Sequence, residues 1–107
     1  MPMFGRKKTS DETLTASYSE NEEGIVIRVS GRLDSVSSGA FQTEAVSKCK
    51  GVNTVLDMTN VSYLSSSGLR AILALDRAVG NGCKLSIVGA SGAVKDVLDL
   101  SGFSDFL

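Results

Sequence analysis

Val52-Asn53-Thr54-Val55-Leu56-Asp57-Met58 runs into Thr59-Asn60-Val61-Ser62-Tyr63-Leu64, then into Ser65-Ser66-Ser67-Gly68, and finally into Leu69-Arg70-Ala71-Ile72-Leu73. The opening segment, Val52 to Met58, is short, apolar and β-branched, like strands buried on both faces beside parallel neighbours. After the serines, Leu69, Ile72, Leu73 and Val79 recur at helical spacing as far as Gly80-Asn81-Gly82. Strand, polar turn and helix make half of a βαβ unit, and this half sets the reading of both flanks.

Upstream, Leu14, Ala16 and Tyr18 alternate with Thr13, Thr15, Ser17 and Ser19, the period of a half-buried strand. A turn at Glu20-Asn21-Glu22-Glu23-Gly24 leads to Ile25, Ile27 and Val29 on one face of a second strand, so the pair reads as a hairpin. Gly31-Arg32-Leu33-Asp34 breaks that pattern. Ser37 or Ser38 is an N-cap for a helix to about Lys48 that buries Phe41, Ala45 and Cys49, with Gly51 closing it. Downstream, Lys84 to Val88 is a buried strand. Gly89-Ala90-Ser91 opens a third helix with Val94, Val97 and Leu98 inward, Ser101-Gly102 closes it, and Phe103 to Leu107 begins one more strand. The expected order is β-β-α-β-α-β-α-β. It is an α/β fold with a mixed, mostly parallel sheet and right-handed crossovers.

With 107 residues, of which 42% are hydrophobic and 21% charged, the chain reads as one domain able to bury a core without metal or disulfide staples. Residues 1–12 read as a flexible leader and 13–107 as the domain. Net charge is −1, and the dense basic run Arg6-Lys7-Lys8 is followed by Asp11-Glu12. No general field therefore draws the chain to nucleic acid or to an anionic membrane. Cys49 and Cys83 are too few for a disulfide framework, though one bridge stays open on sequence grounds. No secretory apolar core opens the sequence and no stretch approaches the roughly 18 apolar residues of a membrane span, so a cytoplasmic location is expected.

The chain has no histidine. Ser-His-Asp and Cys-His nucleophiles are excluded with it, and Gly-x-Ser-x-Gly is absent. A Ser–Lys dyad would need Lys84 or Lys95, which no motif brings to the serines. Gly80-Asn81-Gly82 lacks the Lys-Ser/Thr of a P-loop, and Gly89-Ala90-Ser91-Gly92 is half a dinucleotide fingerprint; capping explains both better. Asp34 and Asp57 end the second and third strands, too isolated for a metal site. No catalytic residue, cofactor or metal is expected. Three consecutive serines remain at the carboxyl edge of the sheet, where open α/β folds place their sites. Spacing alone favours one serine as helix cap and the others as small turn residues. A phosphorylated hydroxyl there would meet the positive end of the helix dipole and leave the fold intact.

The sequence from Leu56 to Leu69, Gly31-Arg32-Leu33-Asp34 after the second strand, and Ile87-Val88-Gly89 through Val94 to Phe103 resemble a STAS domain, specifically the bacterial anti-sigma factor antagonists. The resemblance covers about residues 13–107. It implies a partner switch: the unphosphorylated antagonist binds an anti-sigma factor that is itself a serine kinase of the histidine-kinase-like ATPase fold. Phosphorylation releases it, and a PP2C-type phosphatase restores it. By position the acceptor falls on Ser66, with Ser65 and Ser67 as the alternatives. The partner-binding surface falls on Asp34, Ser65, Ser67, Gly68, Leu69 and Arg70. The family's aspartate before the acceptor is Ser65 here. Family members carry a last strand and helix beyond the position of Phe103, which this sequence is expected to lack. The competing implications are a phosphorylation-independent STAS module, serving a transporter or a sensory complex, and a nucleotide-binding STAS domain.

Overall fold

A computed structural model describes residues 14–80 and 82–102. The hairpin comes first, with β1 over Thr15–Asn21 and β2 over Gly24–Leu33, paired antiparallel. The Asn21 side chain folds the turn between them, accepting from the N–H groups of Glu23 (2.8 Å) and Gly24 (3.0 Å). Then follow α1 (Ser38–Cys49), β3 (Thr54–Leu64), α2 (Ser66–Val79), β4 (Leu85–Val88) and α3 (Gly92–Leu100). The sheet runs β1-β2-β3-β4, with β2, β3 and β4 parallel. This is the expected α/β order through the third helix. The expected leader over 1–12 and the strand over Phe103 to Leu107 lie outside the described residues.

One face of the sheet is buried. Ile25 and Leu85 flank Thr54, Ile27 and Ile87 flank Leu56, and all six residues of these rows are buried. Phe41 and Ala45 of α1, Ala71, Ile72, Leu75 and Val79 of α2, and Val94 and Leu98 of α3 join them in one core. The alternate residues Val26, Arg28, Val55, Asp57, Ser86 and Val88 are half-buried or exposed. Burial of β3 on both faces, expected from its composition, is therefore corrected: among the described residues the helices cover one side only.

Two further expectations change. Gly31-Arg32-Leu33 does not end β2, and Asn60 to Leu64 is not a lead-in to the turn; both segments are strand. The pairing Arg28↔Asp57 shifts to Ser30↔Asn60, and Gly31↔Val61 to Arg32↔Tyr63, so β3 carries an extra residue at each step. The bulges change the spacing of buried residues from two to three, giving Met58, Val61 and Leu64. Asp57 Oδ1 accepts from the Thr59 N–H (3.0 Å) and hydroxyl (2.6 Å) and fixes the first of them. Gly89, at φ +79°, lies against Thr59, where a Cβ would collide with its side chain and backbone. That packing is what the half-fingerprint glycine serves. In α2, Leu73 is 37% exposed while Ala71 and Leu75 are buried, so Leu73 belongs to the outer face. The cysteines are unpaired, and the Cys83 thiol donates to the Gly51 carbonyl.

Candidate functional site

The ends of β2 and β3 come together at Leu33↔Leu64, and the Ser65 N–H donates to the Leu33 carbonyl at 3.0 Å. Asp34 and the serine turn therefore leave the sheet side by side. The three serines then separate in role. Ser65 is the N-cap of α2: its backbone is extended and its hydroxyl accepts from the Gly68 N–H at 3.1 Å. Ser67 is half-buried. Ser66, the first helical residue, is exposed and its hydroxyl makes no hydrogen bond among the described residues. Capping thus accounts for one serine and leaves one hydroxyl outward.

Gly68 brings the helix down onto the sheet. A Cβ there would run into the Leu33 carbonyl oxygen and lie 2.8 Å from Leu64 Cδ1 and 2.9 Å from Leu33 Cγ. Leu69 is half-buried beside it and Arg70 is exposed. The neighbouring β2–α1 turn is built on Asp34. Its carboxylate accepts from the N–H groups of Val36 (3.0 Å) and Ser37 (3.2 Å), and its carbonyl accepts from Ser38 (2.9 Å). Desolvation pushes the Asp34 carboxyl upward, but the bonds from Ser37 and Val36 and the Arg32 guanidinium outweigh it and hold it below its usual range. Ser37 stands at the N-cap position of α1, as one of the two expected caps, but its hydroxyl serves this turn instead, donating to the Arg32 carbonyl at 2.7 Å.

The structure thus gathers Asp34, Ser65, Ser66, Ser67, Gly68, Leu69 and Arg70 at one corner. It leaves Asp57 out: eight residues before Ser65 on β3, Asp57 faces Arg28 at 3.7 Å. Lys84 enters β4 at the opposite end of the sheet, and Lys95 pairs with Asp99 at 2.9 Å, so neither approaches the serines as a base. No cluster of three or more His, Cys, Asp and Glu that would hold a metal exists among the described residues.

Three residues that sequence reasoning passed over belong to this corner. The Arg32 guanidinium lies 4.2 Å from the centroid of the Tyr63 ring, and its Nε is 3.3 Å from Asp34 Oδ2. Their pairing depends on the second bulge, so spacing gives no sign of it. Val36 is 89% exposed. It borders a shallow groove of about 270 Å³ with Leu14, Ala16, Ala40 and Phe41.

A mixed sheet covered by helices on one face, with an outward serine at the head of a helix, places the chain among small α/β domains built around a sheet-edge turn. It belongs to the STAS domain family, whose model matches residues 16–107. The anti-sigma-F factor antagonist RsfB of Mycobacterium tuberculosis is 22% identical over 97 residues, 88% of this chain and 79% of that protein. An anti-sigma factor antagonist from Mycobacterium paratuberculosis superposes with a TM-score of 0.78 at 22% identity, covering 92% of this chain and 86% of the other. The antagonist SpoIIAA in its unphosphorylated form gives 0.69 at 18%, covering 86% and 84%. The phosphorylated form from Bacillus gives 0.65 at 19%, covering 86% and 87%. At these identities the structural likeness is one of fold. No described helix is long and apolar enough to cross a membrane.

Proposed function

We propose that this chain is an anti-sigma factor antagonist working as a phosphorylation-controlled partner switch. Unphosphorylated, it binds an anti-sigma factor that is also a serine kinase, through Asp34, Ser65, Ser67, Leu69 and Arg70, on a turn that the buried Gly68 seats against the sheet. Phosphorylation of Ser66 breaks that contact, and a PP2C-type phosphatase restores it. The protein acts by binding and has no catalytic residue of its own. The observation that carries the reading is the division of labour in the turn: Ser65 is occupied as cap, Ser67 is half-buried, and Ser66 alone presents an exposed, unbonded hydroxyl. A dianion at that point would face the partner across a closed interface, where an unpaired buried charge costs several kcal/mol.

Ser65, where the family carries aspartate, is the feature that speaks for a phosphorylation-independent module. Serine and aspartate are equivalent N-caps, so the geometry of the turn survives the difference. Incubation with a serine kinase of this class and ATP, followed by phosphopeptide mapping, tests the site. Phosphate on Ser66, lost in Ser66→Ala, is expected; Ser66→Ala modified to the wild-type extent contradicts it.

A further inference from the structure

The solvent face of α2 carries Ser66, Arg70, Leu73 and Arg77, all exposed and three or four residues apart. Neither Arg70 nor Arg77 makes an ion pair or hydrogen bond among the described residues. By contrast Arg32, the guanidinium at the end of β2, is engaged by Asp34 and Tyr63. A chain of net charge −1 thus shows a local cationic stripe beginning one helical turn after an unbonded hydroxyl. Helical side chains lean toward the N-terminus, so Arg70 leans toward the turn that holds Ser66. An anion at i with a cation at i+4 is the favourable order along a helix.

We propose that Ser66 and Arg70 form an intramolecular charge switch: the free Arg70 guanidinium receives an acidic group of the partner, and a phosphate on Ser66 takes that guanidinium in its place. The proposal rests on the phosphoacceptor reading of Ser66. A phosphate brings about −1.5 to −2 charges and three acceptor oxygens, and a guanidinium fork binds phosphate and carboxylate alike, so the two anions compete for one group. Phosphorylation then acts twice. It adds an anion where the partner docks, and it withdraws the cation the partner uses. Leu73 between the two arginines gives the stripe an apolar centre, so the partner segment that fits is acidic with apolar neighbours.

The test installs phosphoserine at position 66 during synthesis, so that no kinase is needed, and follows the phosphate by phosphorus NMR during a pH titration. Arg32 at the end of β2 and Asp34 on the β2–α1 turn, the neighbouring charged groups, are the same in every variant. From the strength of an i,i+4 pair, the second phosphate pKa is expected to lie about 0.2–0.4 unit lower in the wild type than in Arg70→Gln. Arg77→Gln should titrate like the wild type, and Arg70→Lys should keep most of the shift. Against an anti-sigma partner, unphosphorylated Arg70→Gln should bind about three- to tenfold more weakly, and phosphorylation should weaken it by a smaller factor than the wild type. Arg70→Gln titrating like the wild type, or suffering the same phosphorylation penalty, overturns the proposal. A kinase that ignores Ser66, while installed phosphoserine titrates as expected, removes the phosphoacceptor reading and leaves the ion pair standing.

Discussion

The α-carbon of Gly68 is packed against the carbonyl of Leu33, the same carbonyl that accepts the Ser65 N–H at 3.0 Å. One peptide oxygen at the end of β2 thus fixes both the start of α2 and its depth on the sheet. Gly68→Ala adds a Cβ that meets backbone, which cannot rotate away. Although alanine is the better helix former, the variant should lose about 1–3 kcal/mol in urea unfolding through overpacking. It should also displace the serine turn and weaken partner binding. Unchanged stability contradicts the packing described.

Ser65 and Ser66 should separate cleanly in stability. Ser65→Ala removes a cap and should cost about 1 kcal/mol, while Ser65→Asp should restore most of it. Ser66→Ala should stay within about 0.5 kcal/mol of wild type, as expected of an exposed position without partners. Urea midpoints of the three variants check this. Equal losses at 65 and 66 would contradict the separate roles given to the two hydroxyls.

Asp34 supplies an acid-side pH dependence. Its folded pKa lies below the unfolded value, so its contribution is fully present above the unfolded pKa, near 3.9. It is lost as pH falls through the depressed folded value. Asp34→Asn should flatten that part of the stability–pH curve. Thermal unfolding between pH 2 and 6 reads the difference, and parallel curves for the two proteins would remove Asp34 from the account.

Gly89→Ala tests the bulge end of the same framework. The new Cβ would strike Thr59 from a left-handed backbone position, so the variant should be destabilised by about 1–3 kcal/mol. The contact falls at Thr59, mid-strand and five residues before Leu64, where the partner-binding corner begins, so affinity at full folding should hold. A parallel loss of affinity would tie the bulge to the docking surface.

Much of this was legible in the sequence, and the failures share a physical cause. Alternation in β1 and early β2 and the glycine stops at Gly51 and Gly80 read directly, because each depends on a few neighbouring residues. The latter half of β3 did not, because bulges space Met58, Val61 and Leu64 by three and erase the period of a strand. Composition read β3 as covered on both sides, since Val55 differs little from Leu56 in hydropathy and only the fold decides which meets a helix. The corner itself was visible as Ser65-Ser66-Ser67-Gly68. Which serine caps, and that Arg32 sits over Tyr63, are consequences of register that local spacing does not encode.

The most direct measurement is the affinity of the chain for its anti-sigma partner by calorimetry, with Ser66 unmodified and with phosphoserine installed there. The account predicts a tight complex for the first and a loss of at least about tenfold, or 1.4 kcal/mol, for the second, with both proteins giving native circular dichroism. Equal affinities for the two forms would contradict it.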